Sequence, residues 1–309
     1  MRDPLRRCVR AASWLAAVFL LTTAAAAQTG GSEGLSPTLA HIKSTHVVRL
    51  GYRESSPPFS FLDQANRPIG YSLELCEAIV DEIGVEVDDA DLRIEYVKVT
   101  SDDRIAAVVQ NKIDLECGST TANAERGKQV AFSPLMFVAG TKLMVAKTSA
   151  ISAAADLKGK TVVVTKGTTN EQAMHAIDKK LALDLNIVTA GDHEQSYQML
   201  VDQKADAFAT DDILLYGLIA RHKTQDRFRV TGDYLSYDPY GIMFRKGEPQ
   251  LAAVVERTFR KLGSNRDLIP LYNKWFVSRL PTGEKLNVEI SPQLAEAFKA
   301  LNDTEGTSN

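Results

Sequence analysis

The chain has 309 residues, a net charge of −3 at pH 7 and 44% hydrophobic residues. A chain of this length fits two domains of ~150 residues each. The weakly acidic balance argues against general binding to nucleic acid or to an anionic membrane, but it leaves room for a local cationic site that binds a small anion.

The N-terminus has the pattern of a cleaved secretory signal. Four arginines within the first ten residues precede an apolar run over about 11–24, and a small-residue A-x-A site ends at Ala27. A retained membrane anchor is the alternative, but the apolar run is shorter than the ~20 residues that a spanning helix needs. We therefore predict a signal peptide over 1–27, a leader over 28–44 and a soluble, exported mature protein.

Strand and helix patterns alternate from residue 45 onward. Val47–Tyr52 and Leu92–Val99 alternate apolar and polar side chains, as half-buried strands do. Between them, apolar side chains recur on one face of a helix over 72–83, and Gly84 is expected to stop this helix. A second helix and a strand over 113–117 complete a β-α-β-α-β unit, which is typical of a parallel sheet covered by helices.

A second unit of similar length follows and predicts a second lobe. Its predicted strands are 142–145, 161–165, 185–189 and 205–210, and the later part of the chain adds a strand over 242–244 and helices over 249–262, 267–275 and 292–301. Two α/β lobes joined by extended crossings near 133–139 and 236–240 would place a ligand cleft between them. The predicted boundaries are 45–138 with 239–290 for lobe 1, 139–238 for lobe 2, and 291–309 for a C-terminal helix and tail.

Several polar side chains follow the predicted C-terminal ends of strands, the edge at which open α/β sheets bind ligands. Each one alone has a structural explanation: Ser101 and Asp211 can cap helices, and Arg104 and His193 can be solvated surface residues. Their shared position favours one common site. The candidate ligand-binding residues are Arg53, Ser101, Arg104, Ser119, Thr121, Arg126, Thr169, His193 and Asp211.

The charges of this set predict the chemistry of the ligand. Three arginines and one aspartate suit a molecule with two carboxylates and one ammonium, because a guanidinium offers two parallel donors to a carboxylate. Helix N-termini near Ser101 and Thr169 would add backbone donors for anions. The one G-x-S-x-G match, at 30–34, lies in the predicted leader and not at a strand-to-helix elbow, and the sequence contains no H-E-x-x-H. We therefore expect no catalytic residues, no metal and no cofactor.

Two cysteines remain beyond the predicted signal, Cys76 on a predicted helix and Cys117 on a predicted strand. Exported proteins can form disulfides, so a pair is possible. Both cysteines lie in apolar stretches, however, and we expect two buried free thiols.

Six stretches of the chain are specific enough to compare with a known family. They are R-E-S-S-P-P-F-S (53–60), V-T-S-D-D-R (99–104), E-C-G-S-T-T-A-N-A-E-R (116–126), G-T-T-N-E (167–171), D-H-E-Q-S-Y (192–197) and T-D-D-I-L-L (210–215). Together they resemble the bacterial periplasmic solute-binding proteins of family 3, and within it the glutamate/aspartate-binding subgroup of ABC importers. The resemblance covers about residues 38–301. Ser72 stands where the family usually has aspartate, which affects a helix start more than the pocket.

The resemblance implies a two-lobed periplasmic-binding-protein fold that closes on its ligand about a hinge. The implied contacts are Arg126, Thr121 and Thr169 to the α-carboxylate, Asp211 and Ser119 to the α-ammonium, Arg53, Ser101, Arg104 and His193 to the side-chain carboxylate, and Phe59 or Phe61 to the aliphatic part. It also implies a monomer in the periplasm that binds L-glutamate or L-aspartate, without ranking the two, and delivers it to an inner-membrane ABC permease.

Two other functions fit the same scaffold. One is a periplasmic enzyme such as a cyclohexadienyl dehydratase, in which His193 or Asp211 would transfer a proton. The other is a sensor module that reports the ligand instead of delivering it. Residues that can bind an ammonium and two carboxylates are all present, which favours the importer component over the enzyme and the sensor.

Overall fold

The computed structural model describes residues 34–301. The predicted signal peptide, the first part of the predicted leader and the last eight residues of the chain lie outside the described residues.

The strands of the described chain are short and mostly buried. In chain order they are β1 (Val47–Tyr52), β2 (Ser55–Ser56), β3 (Ser60–Leu62), β4 (Pro68–Ile69), β5 (Arg93–Lys98), β6 (Leu115–Glu116), β7 (Val130–Phe132), β8 (Phe137–Ala139), β9 (Thr141–Ala146), β10 (Thr161–Thr165), β11 (Asn186–Ala190), β12 (Ala207–Asp211), β13 (Phe228–Thr231), β14 (Asp238–Tyr240) and β15 (Met243–Arg245).

Helices separate most of these strands. They are α1 (Pro37–Thr45), α2 (Tyr71–Val87), α3 (Arg104–Val109), α4 (Thr169–Leu181), α5 (His193–Val201), α6 (Asp212–His222), α7 (Pro249–Ser264), α8 (Leu268–Tyr272) and α9 (Pro292–Ala300). Short 3₁₀ turns lie at Arg126–Lys128 and Ala154–Leu157, and a π-helical turn at Asn273–Val277 continues α8. No helix within residues 34–301 is both long and apolar enough to cross a membrane.

Two five-stranded sheets form the framework. The first has the order β5-β1-β6-β15-β7, with β1 parallel to β5 and β6, and β15 antiparallel to both of its neighbours. The second has the order β11-β10-β12-β9-β13, with β10 parallel to β11 and β12, and β9 antiparallel to both of its neighbours. We call each sheet with the helices on it a lobe. The mixed α/β fold predicted from the sequence is confirmed.

The chain passes between the sheets twice, at β8 and at β14. These two strands pair with each other antiparallel, with Ala139 opposite Asp238 and Phe137 opposite Tyr240. Polar side chains on β14 therefore lie near the junction of the two lobes, where they can contact residues of both.

The main core lies under the first sheet. Helices α2 and α7 pack there with the aromatic side chains of Phe59, Tyr71 and Phe276, which are fully buried. Leu39 of α1 and Phe298 of α9 belong to the same core, so both ends of the described chain are anchored on the first lobe. Ile213 and Leu214 of α6 also join it, which gives the two lobes an apolar contact.

Two expectations about local structure are wrong. Helix α2 runs through Gly84 to Val87 and ends at Asp88, whose φ of 56° lies in the left-handed region. Gly84 is needed for a close approach instead, because a Cβ atom there would lie 2.8 Å from the carbonyl oxygen of Asp89. Cys76 and Cys117 form a disulfide and are not free thiols. Cys76 lies on α2 and Cys117 directly follows β6. Their Cα atoms are 6.2 Å apart, within the range that a disulfide can span.

Candidate functional site

The sequence-predicted residues converge on the junction of the lobes. Eight of the nine are buried, and Thr169 is half-buried. A narrow cavity of about 10 Å³, with room for about one water molecule, is lined by Arg104, Ser119, Thr121, Thr168, Thr169, Asn170, His193, Asp211 and Leu214. Six of the nine predicted residues line this cavity directly, whereas Arg53, Ser101 and Arg126 adjoin it through the contacts described below.

Arg53 and Ser101 form the wall next to Arg104. Arg53 follows β1, and its Nη2 atom donates to the hydroxyl of Ser101 at 2.6 Å. Ser101 therefore does not cap a helix with this hydroxyl. Nη1 of Arg53 and Nε of Arg104 are buried and have no hydrogen-bond partner among the described residues. Buried guanidinium groups with free donors are suited to an anionic ligand, because an unpartnered buried donor costs free energy.

The charges of this wall repel one another. Burial lowers the pKa of Arg53 to about 10, and repulsion from Arg104 adds to the effect. Burial also lowers the pKa of Arg104. Both groups remain protonated near pH 7, so the wall stays cationic.

His193 closes the same end of the cavity from the second lobe. It is 2% exposed, so it is not a solvated surface residue. Burial, followed by repulsion from Arg53 and Arg104, lowers the pKa of His193 well below its usual value. Its Nδ1 atom lies 2.7 Å from the hydroxyl of Thr165. When Thr165 donates to Nδ1, the neutral ring keeps an Nε2–H that can donate to a ligand oxygen.

Arg126 of the first lobe contacts the backbone of both lobes. Its Nη1 donates to the carbonyl of Thr121 at 2.9 Å, and its Nη2 donates to the carbonyl of Gly167 at 3.4 Å. Burial, followed by repulsion from Arg104, lowers the pKa of Arg126 to about 10.

Thr121 and Thr169 face each other across the lobe junction, and both donate to Asp238. The distances from their hydroxyl oxygens to Oδ1 of Asp238 are 3.0 Å and 2.8 Å. Ser236 donates to the other oxygen of the same carboxylate. With both hydroxyl hydrogens on Asp238, the backbone N–H groups of Thr121 and Thr169 are the more suitable donors to a ligand anion.

Asp211 supplies the negative charge that faces the cavity. It occupies the N-cap position of α6 but makes no side-chain cap hydrogen bond. Instead it accepts from Nδ2 of Asn170 at 2.8 Å and from the hydroxyl of Tyr240. Burial raises the pKa of Asp211 to about 7, with a further contribution from Asp238, while the two hydrogen bonds act in the opposite direction.

Ser119 completes the wall of the first lobe. Its hydroxyl is buried, 6% exposed as a residue, and lacks a hydrogen-bond partner among residues 34–301. A hydroxyl can accept or donate, so Ser119 is able to bind an ammonium or a carboxylate.

Glycines allow the lobes to approach closely on both sides of the cavity. A Cβ atom at Gly167, where φ is 76°, would lie 2.6 Å from Cα of Asp102. A Cβ atom at Gly217 would lie 2.3 Å from the carbonyl oxygen of Pro57. An exposed ion pair between Lys166 and Asp102, 2.9 Å long, also crosses the junction. The two lobes therefore contact each other closely around the cavity.

The predicted contact of Phe59 or Phe61 with the aliphatic part of a ligand stays a prediction without support from the cavity lining. Phe59 and Phe61 do not line the cavity. The ring of Phe59 lies 5.0 Å from that of Phe137 and is held in the first core, and Phe61 packs edge-on against Trp275. Leu214 of α6 is the apolar side chain that lines the cavity instead.

Sequence reasoning missed the residues that hold the predicted ones in place. Asn170 directly follows Thr169 in G-T-T-N-E, and its position at a helix start was a usable signal. Asp238 and Tyr240 lie in D-P-Y-G, which reads as a break between elements and gives no sign that its side chains reach the site.

A model of the bacterial extracellular solute-binding proteins, family 3, matches residues 48–278. The chain belongs to this family. The match includes both sheets and every residue of the candidate site.

Named relatives cover nearly the whole chain. The L-glutamate/L-aspartate-binding protein of Pseudomonas aeruginosa is 39% identical over 274 residues, which is 88% of this chain and 91% of the relative. The glutamate/aspartate import solute-binding protein of Salmonella typhimurium is 36% identical over the same shares of the two chains.

A solved structure agrees in fold. An ancestral amino acid-binding protein, described as a precursor of cyclohexadienyl dehydratase, has a TM-score of 0.66 and 29% sequence identity. The superposition covers 77% of this chain and 99% of that one.

Proposed function

We propose that this protein is the solute-binding component of an ABC importer that captures L-glutamate or L-aspartate. The observation that carries the proposal is the set of charges around one cavity: three buried guanidinium groups and the carboxylate of Asp211. A dicarboxylic amino acid has the complementary charges, two carboxylates and one ammonium. The names of the relatives from Pseudomonas aeruginosa and Salmonella typhimurium support the same ligand class.

The α-carboxylate binds at the Arg126 end in this proposal. The guanidinium of Arg126 and the backbone N–H groups of Thr121 and Thr169 surround that end from both lobes. The α-ammonium pairs with Asp211 and the free hydroxyl of Ser119. Because Asp211 is buried, an ammonium in contact with it replaces the water that the carboxylate has lost.

The side-chain carboxylate binds at the other end, between the two lobes. Arg53, Ser101 and Arg104 contact it from the first lobe and His193 from the second. A hydrogen bond to a charged group contributes about 1.5–3 kcal/mol. Several such bonds, after losses of entropy and hydration, are sufficient for a micromolar complex of about −8 kcal/mol.

Ligand contacts from both lobes couple binding to closure. A ligand that bridges Arg126 and His193 has more contacts in the closed arrangement than in an open one, and it therefore shifts the population toward closure. We propose that the closed, loaded monomer acts in the periplasm and delivers its ligand to a membrane permease.

The enzyme alternative has less support. Both relatives compared above are named as binding proteins, and the ancestral structure related to a dehydratase is itself described as amino acid-binding. The raised pKa of Asp211 is explained by its burial and by Asp238, without a role in proton transfer.

Isothermal titration calorimetry on residues 28–309 tests the proposal. We expect glutamate and aspartate to bind with a Kd of about 1 µM or below, and glutamine, asparagine and arginine to bind at least about tenfold more weakly. Binding of arginine or a neutral amino acid without binding of glutamate or aspartate would refute it.

A further inference from the structure

Glu116 is a buried acid behind the candidate site that none of the proposed ligand contacts uses. It is the last residue of β6, and it is fully buried. Its Oε2 atom accepts a hydrogen bond of 2.6 Å from the hydroxyl of Thr120. Its Oε1 atom has no hydrogen-bond partner among the described residues. An acid in such a position is costly unless a nearby positive charge compensates it.

The unpartnered oxygen lies against the residues of the site. A Cβ atom at Gly118 would lie 2.3 Å from Oε1 of Glu116 and 2.9 Å from Cγ of Arg53. The carboxylate of Glu116 and the aliphatic stem of Arg53 therefore lie on the same side of the backbone that leads to Ser119. A side chain at position 118 would separate them, so the glycine there permits this approach.

The charge of Glu116 acts on all three arginines of the site. It raises the pKa of Arg53, Arg104 and Arg126, and in each case it is the largest contribution from any acid. Asp211 acts in this way on Arg104 and Arg126, and Asp238 on Arg126. Of these three acids, only Glu116 acts on all three arginines.

We propose that Glu116 is a specificity-determining residue, a built-in counter-charge that limits how much negative charge the site accepts in its ligand. This inference rests on the proposed function, since it concerns the same site. The carboxylate of Glu116 offsets part of the positive charge of the three guanidinium groups before a ligand binds. A ligand of net charge −1 is attracted, whereas a dicarboxylate of charge −2 has no ammonium for Asp211 and places excess negative charge in a buried site.

Removal of the negative charge of Glu116 should raise ligand affinity by a factor that grows with the negative charge of the ligand. Glu116→Gln keeps an oxygen that can accept from Thr120, removes the negative charge and places a neutral amide NH2 where Oε1 was. We expect roughly a tenfold gain in affinity for each unit of negative charge on the ligand, because Coulomb energies are large at partly buried sites. Glutarate, with charge −2, should gain most, glutamate should gain less, and glutamine should gain nothing.

Calorimetric titration of the full mature chain with these three ligands measures the effect. The matched control is Glu82→Gln, which also removes a buried acid, but one paired with Arg257 and Lys261 on the outer side of the first lobe. This control should leave the ratio of the three affinities as in the wild type. Glu116→Met provides a second charge-free variant. Its thioether needs no hydrogen-bond partner, and the position of Oε1 offers none.

The outcomes separate this inference from the proposed function. Failure of the wild-type protein to bind glutamate would contradict the proposed function. Glutamate binding by the wild type, combined with equal shifts for all three ligands in both Glu116 variants, would overturn the inference. Loss of folding in both variants, seen by circular dichroism with saturating glutamate, would show a folding role and would also overturn it. A graded gain from glutamine to glutarate would support it.

Discussion

The hydroxyl of Tyr240 donates a hydrogen bond to the carboxylate of Asp211, and both side chains are buried. Tyr240 belongs to the crossing strand β14, whereas Asp211 ends β12 of the second lobe. The carboxylate proposed to bind the ammonium is therefore held by a residue at the lobe junction, so ligand recognition and lobe position depend on the same contact.

Glutamate binding should release a proton below neutral pH. Burial raises the pKa of Asp211 to about 7, so the unliganded site is protonated at pH 6. The ligand ammonium favours the ionised carboxylate, and binding lowers this pKa. Affinity should therefore fall by up to about tenfold per pH unit below 7, as expected for one coupled proton.

Calorimetry at pH 6 in buffers with different ionisation enthalpies counts the released proton. Asp211→Asn removes the titrating group, so glutamate binding to this variant should release no proton. Release of no proton by the wild type would contradict the assignment of Asp211. The same raised pKa predicts that Asp211 lowers the stability of the unliganded protein as the pH rises from about 4 through 7.

Tyr240→Phe should weaken glutamate binding. The ring and its packing against Phe59 are kept, but Asp211 loses a donor to its ionised form. A hydrogen bond to a charged group is worth about 1.5–3 kcal/mol, which corresponds to about tenfold to hundredfold in Kd.

Tyr272→Phe is the matched control for this change. Tyr272 is also buried, but its hydroxyl donates to the carbonyl of Glu289, away from the cavity. The affinity of the Tyr272→Phe variant for glutamate should equal that of the wild type. Equal losses in the two variants would indicate a general packing effect and contradict a specific role for Tyr240.

Arg104→Ala should reduce the affinity for glutamate far more than the affinity for glutamine. The guanidinium is proposed to bind the side-chain carboxylate, which glutamine lacks, and its loss should cost about 1.5–3 kcal/mol for glutamate. Arg257→Ala, at a partly exposed arginine paired with Glu82 and Glu86, is the control. Competition titrations with both ligands give the two changes, and equal weakening would show that Arg104 does not select the acidic side chain.

Gly217→Ala should hinder closure without weakening helix α6. The added Cβ atom would lie 2.3 Å from the carbonyl of Pro57 in the first lobe, and overpacking of this kind costs about 1–3 kcal/mol. Alanine is the better helix former by about 1 kcal/mol, so the helix itself should gain stability.

Small-angle X-ray scattering with and without glutamate measures the closure, and calorimetry measures the affinity. We expect Gly217→Ala to lose most of the ligand-induced decrease in radius of gyration. Gly127→Ala, where the added Cβ atom would have nothing within 4 Å, should behave as the wild type. Normal closure in Gly217→Ala would show that the contact with Pro57 is not required.

Reduction of the disulfide between Cys76 and Cys117 should lower the free energy of unfolding. The two residues are 41 positions apart, and closing a loop of this size in the unfolded chain is worth about 4 kcal/mol. Urea unfolding with and without reductant, compared with Cys76→Ala/Cys117→Ala, gives the value. An unfolding curve that does not respond to reductant would contradict the presence of the bond.

The sequence predicted the residues whose position follows from the order of strands. Arg53, Ser119 and Asp211 each follow or end a buried strand, and parallel strands bring such residues to one edge. The regular strands Val47–Tyr52 and Thr161–Thr165 were predicted with their observed bounds because their side-chain patterns are local.

The remaining features depend on distances between elements, which a single sequence does not contain. The disulfide requires α2 to lie beside β6, and apolar surroundings alone favoured free thiols. Phe59 follows a loop near the site, but the rings of Phe137 and Phe276 draw it into the core. Asp238 reaches the site only because the two crossing strands pair with each other.

A crystal structure with bound glutamate tests the central claim most directly. The account predicts the α-carboxylate at Arg126, the ammonium at Asp211, and the side-chain carboxylate within hydrogen-bond distance of Arg104 and His193. A glutamate bound outside this cavity, or with its side-chain carboxylate away from Arg104 and His193, would contradict it.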